Sequence, residues 1–293
     1  MKDANVQDKG QALLARHRAE RGFVLPNAWD RGSAVILANE GFAALGTTSA
    51  GIAFSLGKPD YQVQDARLAV TRNEMLDAVR AIVDAVPVPV TADLEAGYGT
   101  TPEAVADTIR LAISCGAAGG NIEDADAAGG GLFDEGLAVA RVAAAREAIR
   151  GSGRTFVLNA RTDALAVGGA EGLKQAIRRA NAFFEAGADC VFTPGIADAP
   201  RAALLVRELA GPLNLVVGLN ESASSAFALI DAGVKRVSVG GSIARSVLGL
   251  VRRCARELRD AGTVGYAAQQ IPQAELNALF ARCSTSGSLA QRP

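Results

Sequence analysis

Eight short runs of β-branched and small residues recur along this chain, and a longer Ala/Leu/Arg-rich stretch separates each run from the next. The runs are residues 22–26, 44–49, 89–92, 119–122, 155–160, 190–193, 214–218 and 236–239. Helical patterns fill the gaps at 33–40, 72–86, 102–114, 137–150, 171–185, 199–209 and 222–231. They are clearest in 72–86 and 102–114, where apolar residues recur at i, i+3, i+4 spacing. Three of these helices end alike, in Ser114-Cys115-Gly116-Ala117, Glu185-Ala186-Gly187-Ala188 and Asp231-Ala232-Gly233-Val234, and Asn39-Glu40-Gly41-Phe42 repeats the device before the second run. A glycine there suits a helix end that needs φ > 0. Alternating β and α units of this length imply parallel strands joined by right-handed crossovers. Eight of them, evenly spread, predict an α/β fold of the (β/α)8 TIM-barrel type, with an open doubly wound sheet as the alternative. At roughly 150 residues per domain the length would allow two domains, but one barrel routinely fills it. The expectation is one domain over residues 1–293: a barrel core at about 22–258, a helical extension at about 259–283 and a frayed tail at 284–293. A strong helix at 243–259 follows the eighth run, and beyond it come a turn at 262–265 and a surplus helix near 272–281.

Composition narrows the function classes. Hydrophobic residues make up 49% of the chain and charged residues 21%, enough apolar material for a large core. Lys plus Arg is 30 against 31 for Asp plus Glu, a net charge of −1. That balance lacks the footprint of a nucleic-acid binder or of a polybasic membrane-surface protein. No window offers about 18 uninterrupted apolar residues, so no membrane span is expected. The leading MKDANVQDKGQ is polar, so no secretory signal is expected either. Cys115, Cys190, Cys254 and Cys283 form no CxxC pair, which suits a reducing, cytoplasmic setting without structural zinc. Cys115 and Cys190 read as buried and inert. The single histidine, His17, sits in a polar helical pattern that suggests a solvated face; a Ser-His-Asp mechanism is not expected.

In a barrel, chemistry belongs to the carboxyl ends of the strands. Asp93-Leu94-Glu95-Ala96-Gly97-Tyr98-Gly99 follows the third run, Glu123-Asp124-Ala125-Asp126 the fourth, and Arg161-Thr162-Asp163 the fifth. Thr47-Thr48-Ser49-Ala50-Gly51 follows the second, with Lys58-Pro59-Asp60 soon after. Carboxylates converging from neighbouring strands repel one another unless a cation joins them. Mg²⁺ suits such a place, because it takes oxygen ligands from one or two carboxylates and from substrate and keeps several waters. Arg161 cannot lose its charge and offers a planar fork to a substrate carboxylate or phosphonate. Asp93, Glu95, Glu123 and Arg161 thus describe a site for an anionic substrate held by a metal. The structural alternative is that Arg161 merely neutralises Glu123, and Asp124, Asp126 and Asp163 taken singly read as helix caps. Gly240-Gly241-Ser242 after the eighth run is a weak anion cradle, and Asn220 after the seventh could orient substrate.

The ordered set FVLPNAWDRGSAVILANEGFAALGTTSAGIAFSLGKPD, ADLEAGYG, NIEDAD and LNARTDAL resembles the isocitrate lyase/phosphoenolpyruvate mutase superfamily from about Phe23 to Asn220. The resemblance implies a (β/α)8 barrel whose last helix is swapped with a neighbouring subunit, giving a homodimer or homotetramer. It places the substrate-carboxylate loop on Thr48, Ser49 and Ala50 and an acidic site residue at Asp60. It implies Mg²⁺, with Mn²⁺ as a substitute, on Asp93, Glu95 and Glu123, with Asp93 as the direct ligand and the others acting partly through water. It makes Arg161 the substrate-binding arginine. The family's isocitrate and methylisocitrate lyases carry a Lys-Lys/Arg-Cys-Gly-His loop after the fourth strand. Here the loop reads Asp126-Ala127-Ala128-Gly129-Gly130-Gly131-Leu132-Phe133-Asp134, with neither Cys, His nor Lys, and the Lys/Asn gate of the phosphonomutases is absent too. Its glycines suit a mobile lid. The expected activity is a Mg²⁺-dependent C–C lyase or decarboxylase acting on a small 2-hydroxy or 2-oxo dicarboxylate through an enolate or oxyanion, with Asp60 and Tyr98 handling protons. P–C chemistry on a phosphonopyruvate-like substrate is the first alternative. An oxo-acid-binding barrel with little or no catalysis is the second. The expected partner is a small anionic carboxylate, not nucleic acid or membrane.

Overall fold

The computed structural model describes residues 2–60, 65, 67–126, 129–196, 198–220 and 224–288, with side chains described from residue 9 to residue 282. In chain order the strands are β1 (Phe23–Leu25), β2 (Asn27–Ala28), β3 (Leu45–Thr47), β4 (Val90–Asp93), β5 (Gly119–Glu123), β6 (Ala125–Asp126), β7 (Gly131–Leu132), β8 (Val157–Arg161), β9 (Cys190–Phe192), β10 (Leu213–Val216) and β11 (Arg236–Ser238). All but β6 and β7 form one parallel sheet in the order β1-β11-β10-β9-β8-β5-β4-β3-β2. β1 and β2 are consecutive in the chain, parted only by Pro26. β1 pairs with the last strand and β2 with β3, so the sheet closes on itself at this proline. Proline has no N–H to give the ladder, yet its carbonyl still accepts from Gly46 N at 2.9 Å. The result is the expected (β/α)8 barrel rather than an open sheet.

The helices are α1 (Lys2–Arg18), α2 (Arg31–Asn39), α3 (Ser49–Ser55), α4 (Arg72–Ala85), α5 (Pro102–Ser114), α6 (Glu135–Gly151), α7 (Ala164–Val167), α8 (Gly172–Glu185), α9 (Ala199–Glu208), α10 (Ala226–Asp231), α11 (Ser242–Ala261) and α12 (Gln273–Ser288). The glycine stops work as the sequence suggests. Gly116, Gly187 and Gly233 take φ of 85°, 104° and 100°. Each donates to the carbonyl three residues back, and the next residue donates to the one five back, as in Ala117 N to Ala112 O at 3.2 Å. Residues 222 and 223, assigned to a helix from sequence, lie outside the described residues; α10 begins at Ala226, capped by Ser225. The tail expected to fray from 284 is still helical to Ser288, and residues 289–293 lie outside the description. The surplus helix α12 lies on the chain's own α2 and α4, with Leu279 buried there.

The amino-terminal helix corrects one reading. His17 is not on a solvated face; it is 2% exposed. α1 lies across the amino ends of the strands as a stopper, with Leu13 buried against Leu25, Ala44, Ala118 and Val157. Gly10 comes so close that a Cβ there would stand 2.1 Å from the Thr155 carbonyl oxygen. His17 faces the same way as Leu13, one turn on. Its Nδ1 lies 2.9 Å from Leu13 O, and its ring meets Phe23 edge-on at 5.1 Å. Burial, reinforced by the nearby Arg236 charge, pulls the imidazole down to about 4. The unfolded chain therefore binds this proton near pH 6.5, while the folded chain resists it until about pH 4. Stability is intact above pH 6.5 and is lost as pH falls through that window. At about 1.36 kcal/mol per pH unit the loss is on the order of 3 kcal/mol. Urea unfolding between pH 7 and 4 is expected to show it, and His17→Leu should flatten that part of the curve.

Candidate active site

The parallel register carries three charged side chains to one rim. Asp93 ends β4, Glu123 ends β5 and Arg161 ends β8. Glu123 stands in register with Arg161, and Asp93 with Asn121. Residues in register point the same way, here into the barrel. Arg161 Nη1 reaches Glu123 Oε2 at 2.7 Å, and its Nη2 reaches Asp163 Oδ1 at 2.7 Å. The Phe192 ring lies 5.4 Å from the guanidinium. Arg161 does neutralise Glu123, and it is also locked in orientation by Asp163. Asp163, taken from sequence as a cap, makes no cap bond to α7 and grips Arg161 instead. Asp93 is fixed as firmly: Oδ1 accepts from Asn121 Nδ2 at 2.8 Å and Oδ2 from the Ser49 amide at 2.9 Å. Its own amide donates to Thr47 Oγ1 at 2.8 Å.

The loop after β4 is strained in the way functional loops are. Glu95 and Tyr98 have φ of 50° and 58°, the only non-glycine residues with positive φ among those described. Arg141 of α6 holds the loop from beneath. It donates to the carbonyls of Gly99 at 2.7 Å, Thr100 at 2.6 Å and Ala96, while its guanidinium stacks on Phe133 at 4.2 Å. Burial, followed by the charges of Asp93, Glu123 and Asp60, pushes the Glu95 carboxyl up to about 8, with Arg161 pulling the other way. Tyr98 is raised well above its ordinary value by burial, then by Glu95, Asp93, Glu123 and Asp60. Its hydroxyl is buried without a partner.

Asp60, Asp93, Glu95, Tyr98, Glu123 and Arg161 are therefore one electrostatic neighbourhood. The remaining sequence candidates divide. Of the proposed anion loop, the Thr48 amide donates to Ala28 O at 3.2 Å and the Ser49 amide to Asp93, so two of the three amides serve the fold. Ala50 lies against the α11 end, where a Cβ on Gly241 would meet its own at 3.1 Å. The Gly240 amide is taken by Asn27 Oδ1 at 2.8 Å. Asn220 is exposed on the loop past β10. Lys58 pairs with Glu74 at 2.7 Å. Asp124 is structural, bonding the Asp163 amide at 2.9 Å and Arg179 at 3.1 Å. Asp126 accepts from Gly129 N at 3.0 Å, and with Phe133 it frames a small hairpin, β6 against β7, where a plain loop was expected. Ala127 and Ala128 of that loop lie outside the described residues. Cys115 and Cys190 are buried, and burial pushes the Cys190 thiol up to about 12, in keeping with inertness.

The chemistry of the donor set fits a hard divalent cation. Crowded acids that drive one of their number toward protonation are relieved by a positive ion, and each Asp93 oxygen keeps a lone pair beyond its protein bond. Among the described residues, however, no three His, Cys, Asp or Glu side chains stand close enough to hold one ion between them. The fit is to an ion held by one or two carboxylates and completed by water and substrate, not to a closed protein cage.

Comparison with known proteins finds relatives along most of the chain. The family model for phosphoenolpyruvate phosphomutase matches residues 13–259. An uncharacterised Mycobacterium tuberculosis protein is 35% identical over 87% of this chain and 91% of its own length. The 2-methylisocitrate lyase of Salmonella typhimurium is 32% identical over 66% of this chain and 65% of its own. Among solved structures, a provisionally assigned lyase/mutase of Burkholderia cenocepacia J2315 is 41% identical, covering 95% of this chain and 97% of its own at a TM-score of 0.89. A 2,3-dimethylmalate lyase is 28% identical, covering 98% of both chains at a TM-score of 0.82.

The loop that bears Glu95 and Tyr98 depends on Arg141. Arg141→Met should strip three carbonyls of their donor and cost on the order of 3 kcal/mol. A drop of that size in the unfolding free energy from urea titration, partly recovered in Arg141→Lys, is the expected result.

Proposed function

This chain belongs to the isocitrate lyase/phosphoenolpyruvate mutase superfamily, and we propose that within it the protein is a Mg²⁺-dependent C–C lyase or decarboxylase. Its substrate is a small 2-hydroxy or 2-oxo dicarboxylate, and one product is pyruvate or a similar 2-oxo acid. The observation that carries this reading is the crowding of Asp60, Asp93 and Glu123 about Glu95, with Arg161 as the counter-charge. When bound, Mg²⁺ supplies Lewis-acid stabilisation for negative charge growing on a substrate oxygen. Asp93 would hold the ion most directly, since Ser49 and Asn121 already fix its two oxygens; Glu95 and Glu123 would act partly through water.

The rest is done by side chains. Arg161, braced by Glu123 on one side and Asp163 on the other, presents a fixed positive charge to a substrate carboxylate, so little orientation remains to be lost on binding. The Ala50 end of the Thr48–Ala50 loop and the exposed Asn220 are the further candidates for holding substrate. Tyr98 keeps its proton at neutral pH, and its hydroxyl has no hydrogen-bond partner among the described residues. It is therefore the group best placed to give a proton, the task that the Cys-bearing loop performs in the family's isocitrate lyases. Asp60 is the candidate acceptor. The β6–β7 hairpin, with its three consecutive glycines Gly129, Gly130 and Gly131, is the element suited to cover the mouth. P–C bond chemistry is the second reading, supported by the family model and by the place of Asp60 among the acids.

The assembly is proposed from α11. Of its twenty residues only Ala244 is buried, while Val247, Leu248, Leu250, Val251 and Leu258 stand exposed. A stripe of that kind marks an interface, and a second copy of this chain is the occupant that a swapped-helix dimer or tetramer supplies.

Two measurements test these readings. Purified protein with Mg²⁺ should cleave at least one member of a panel of 2-oxo and 2-hydroxy dicarboxylates and stop on addition of EDTA. Asp93→Ala should lower kcat/KM by about 100-fold or more. Unchanged activity in that variant would overturn the assignment. Phosphate release or phosphonate rearrangement in ³¹P NMR would favour the P–C reading, and micromolar binding without product would point to a binding barrel. Separately, sedimentation should show a dimer or larger species, reduced in size by Val251→Glu; a monomeric native protein would remove the interface.

A further inference from the structure

Beneath the acidic rim, the inward face of the barrel carries polar side chains that the fold leaves unanswered. Thr91 of β4, Asn159 of β8, Asn214 of β10 and Arg236 of β11 are each at least 97% buried. Among the described residues, Thr91 Oγ1, both ends of the Asn159 amide, Asn214 Oδ1, and Arg236 Nε and Nη1 find no hydrogen-bond partner. The registers put all four on one surface. Thr91 and Asn159 lie two residues before Asp93 and Arg161, hence on the same face and one layer deeper. Asn159 stands in register with Cys190, and Asn214 with both Phe192 and Arg236. The floor is shut by α1. A Cβ on Gly119 would stand 3.1 Å from both Leu13 Cδ2 and Thr91 Oγ1, and Phe23 is in register with Arg236.

Six unmet polar atoms in a dry core would cost as much as a domain's whole net stability, so something must answer them. Its chemistry follows from the mixture. Arg236 and the Asn159 Nδ2 need acceptors, the two amide oxygens need donors, and Thr91 can do either. An inorganic anion would satisfy only the donors, and the carboxylates above would repel it. Water both donates and accepts, and each buried water asks for two to four such partners. We propose that the barrel core beneath the site encloses a cluster of bound water, anchored on the Arg236 guanidinium and on the Asn159 and Asn214 amides. The cluster solvates a charge that cannot be shed and lies on the face that leads up to Asp93. The site is then supplied with solvent from its floor as well as from its mouth, a supply that a cover over the mouth does not expel.

The proposal is tested on the intact protein by measurements that involve no catalysis, so its outcome is independent of the reaction assigned above. A crystal structure grown in bromide should show water within hydrogen-bond distance of Arg236 Nε and Nη1 and of both amides, with no anomalous peak at the guanidinium. Water relaxation dispersion should detect long-residence waters in the native protein, with fewer in Arg236→Met. Direct pairing of these side chains with one another, or an anomalous bromide peak at Arg236, would overturn the proposal. Should Arg236→Met fail to fold, the native crystal and relaxation data decide alone.

Discussion

Closure of the parallel ladder at Pro26 is the constraint from which the rest of this molecule follows. One strand is cut in two by a residue that cannot donate, and its halves bond to opposite neighbours. Asn27, just past the cut, ties the seam: Nδ2 donates to Thr47 O at 2.6 Å, while Oδ1 accepts from Val239 and Gly240 at 2.9 and 2.8 Å. The end of β3 is thereby bound to the turn that starts α11. Within the ring, parallel pairing in the order β8-β5-β4 delivers the ends of those strands to a single rim, where Asp93, Glu123 and Arg161 lie.

Charge at that rim is distributed rather than cancelled. Arg161 is shared by Glu123 and Asp163, while Asp60, Asp93 and Glu123 all press on Glu95. The fold holds this excess in place with rigid neighbours. Ser49 and Asn121 fix Asp93, and Arg141 clamps a loop in which two side chains accept a left-handed backbone. A site that stores repulsion in this way has little tolerance for a loosened frame.

Much of this was legible in the sequence, for physical reasons. All eight expected strands are present, because a short buried run between glycine-stopped helices has few other uses. Asp93, Glu123 and Arg161 could be placed because strand ends are simple to locate. What was hidden depended on long-range contact. His17 looked solvated because its helix is polar, yet the surface that buries it comes from strands far along the chain. Asp163 looked like a cap because it precedes a short helix, and only the side-chain geometry shows it bracing Arg161. Arg141 sits in an ordinary helical pattern, and nothing local announces that its partners are carbonyls some forty residues earlier. The β6–β7 hairpin escaped because two-residue strands around glycines carry no periodic signal. Asn27 lay inside the quoted family motif, and it could have been singled out as a polar residue in a buried strand.

The stopper helix has a consequence for the ribosome. α1 precedes every strand of the barrel, but its anchors are spread far down the chain: Val86 accepts from Lys9, Thr155 from Gln11, and Lys235 donates to the carbonyls of Ala19 and Glu20. During synthesis this helix therefore leaves the ribosome before the strands it seals, and its full set of anchors exists only once Lys235 has followed.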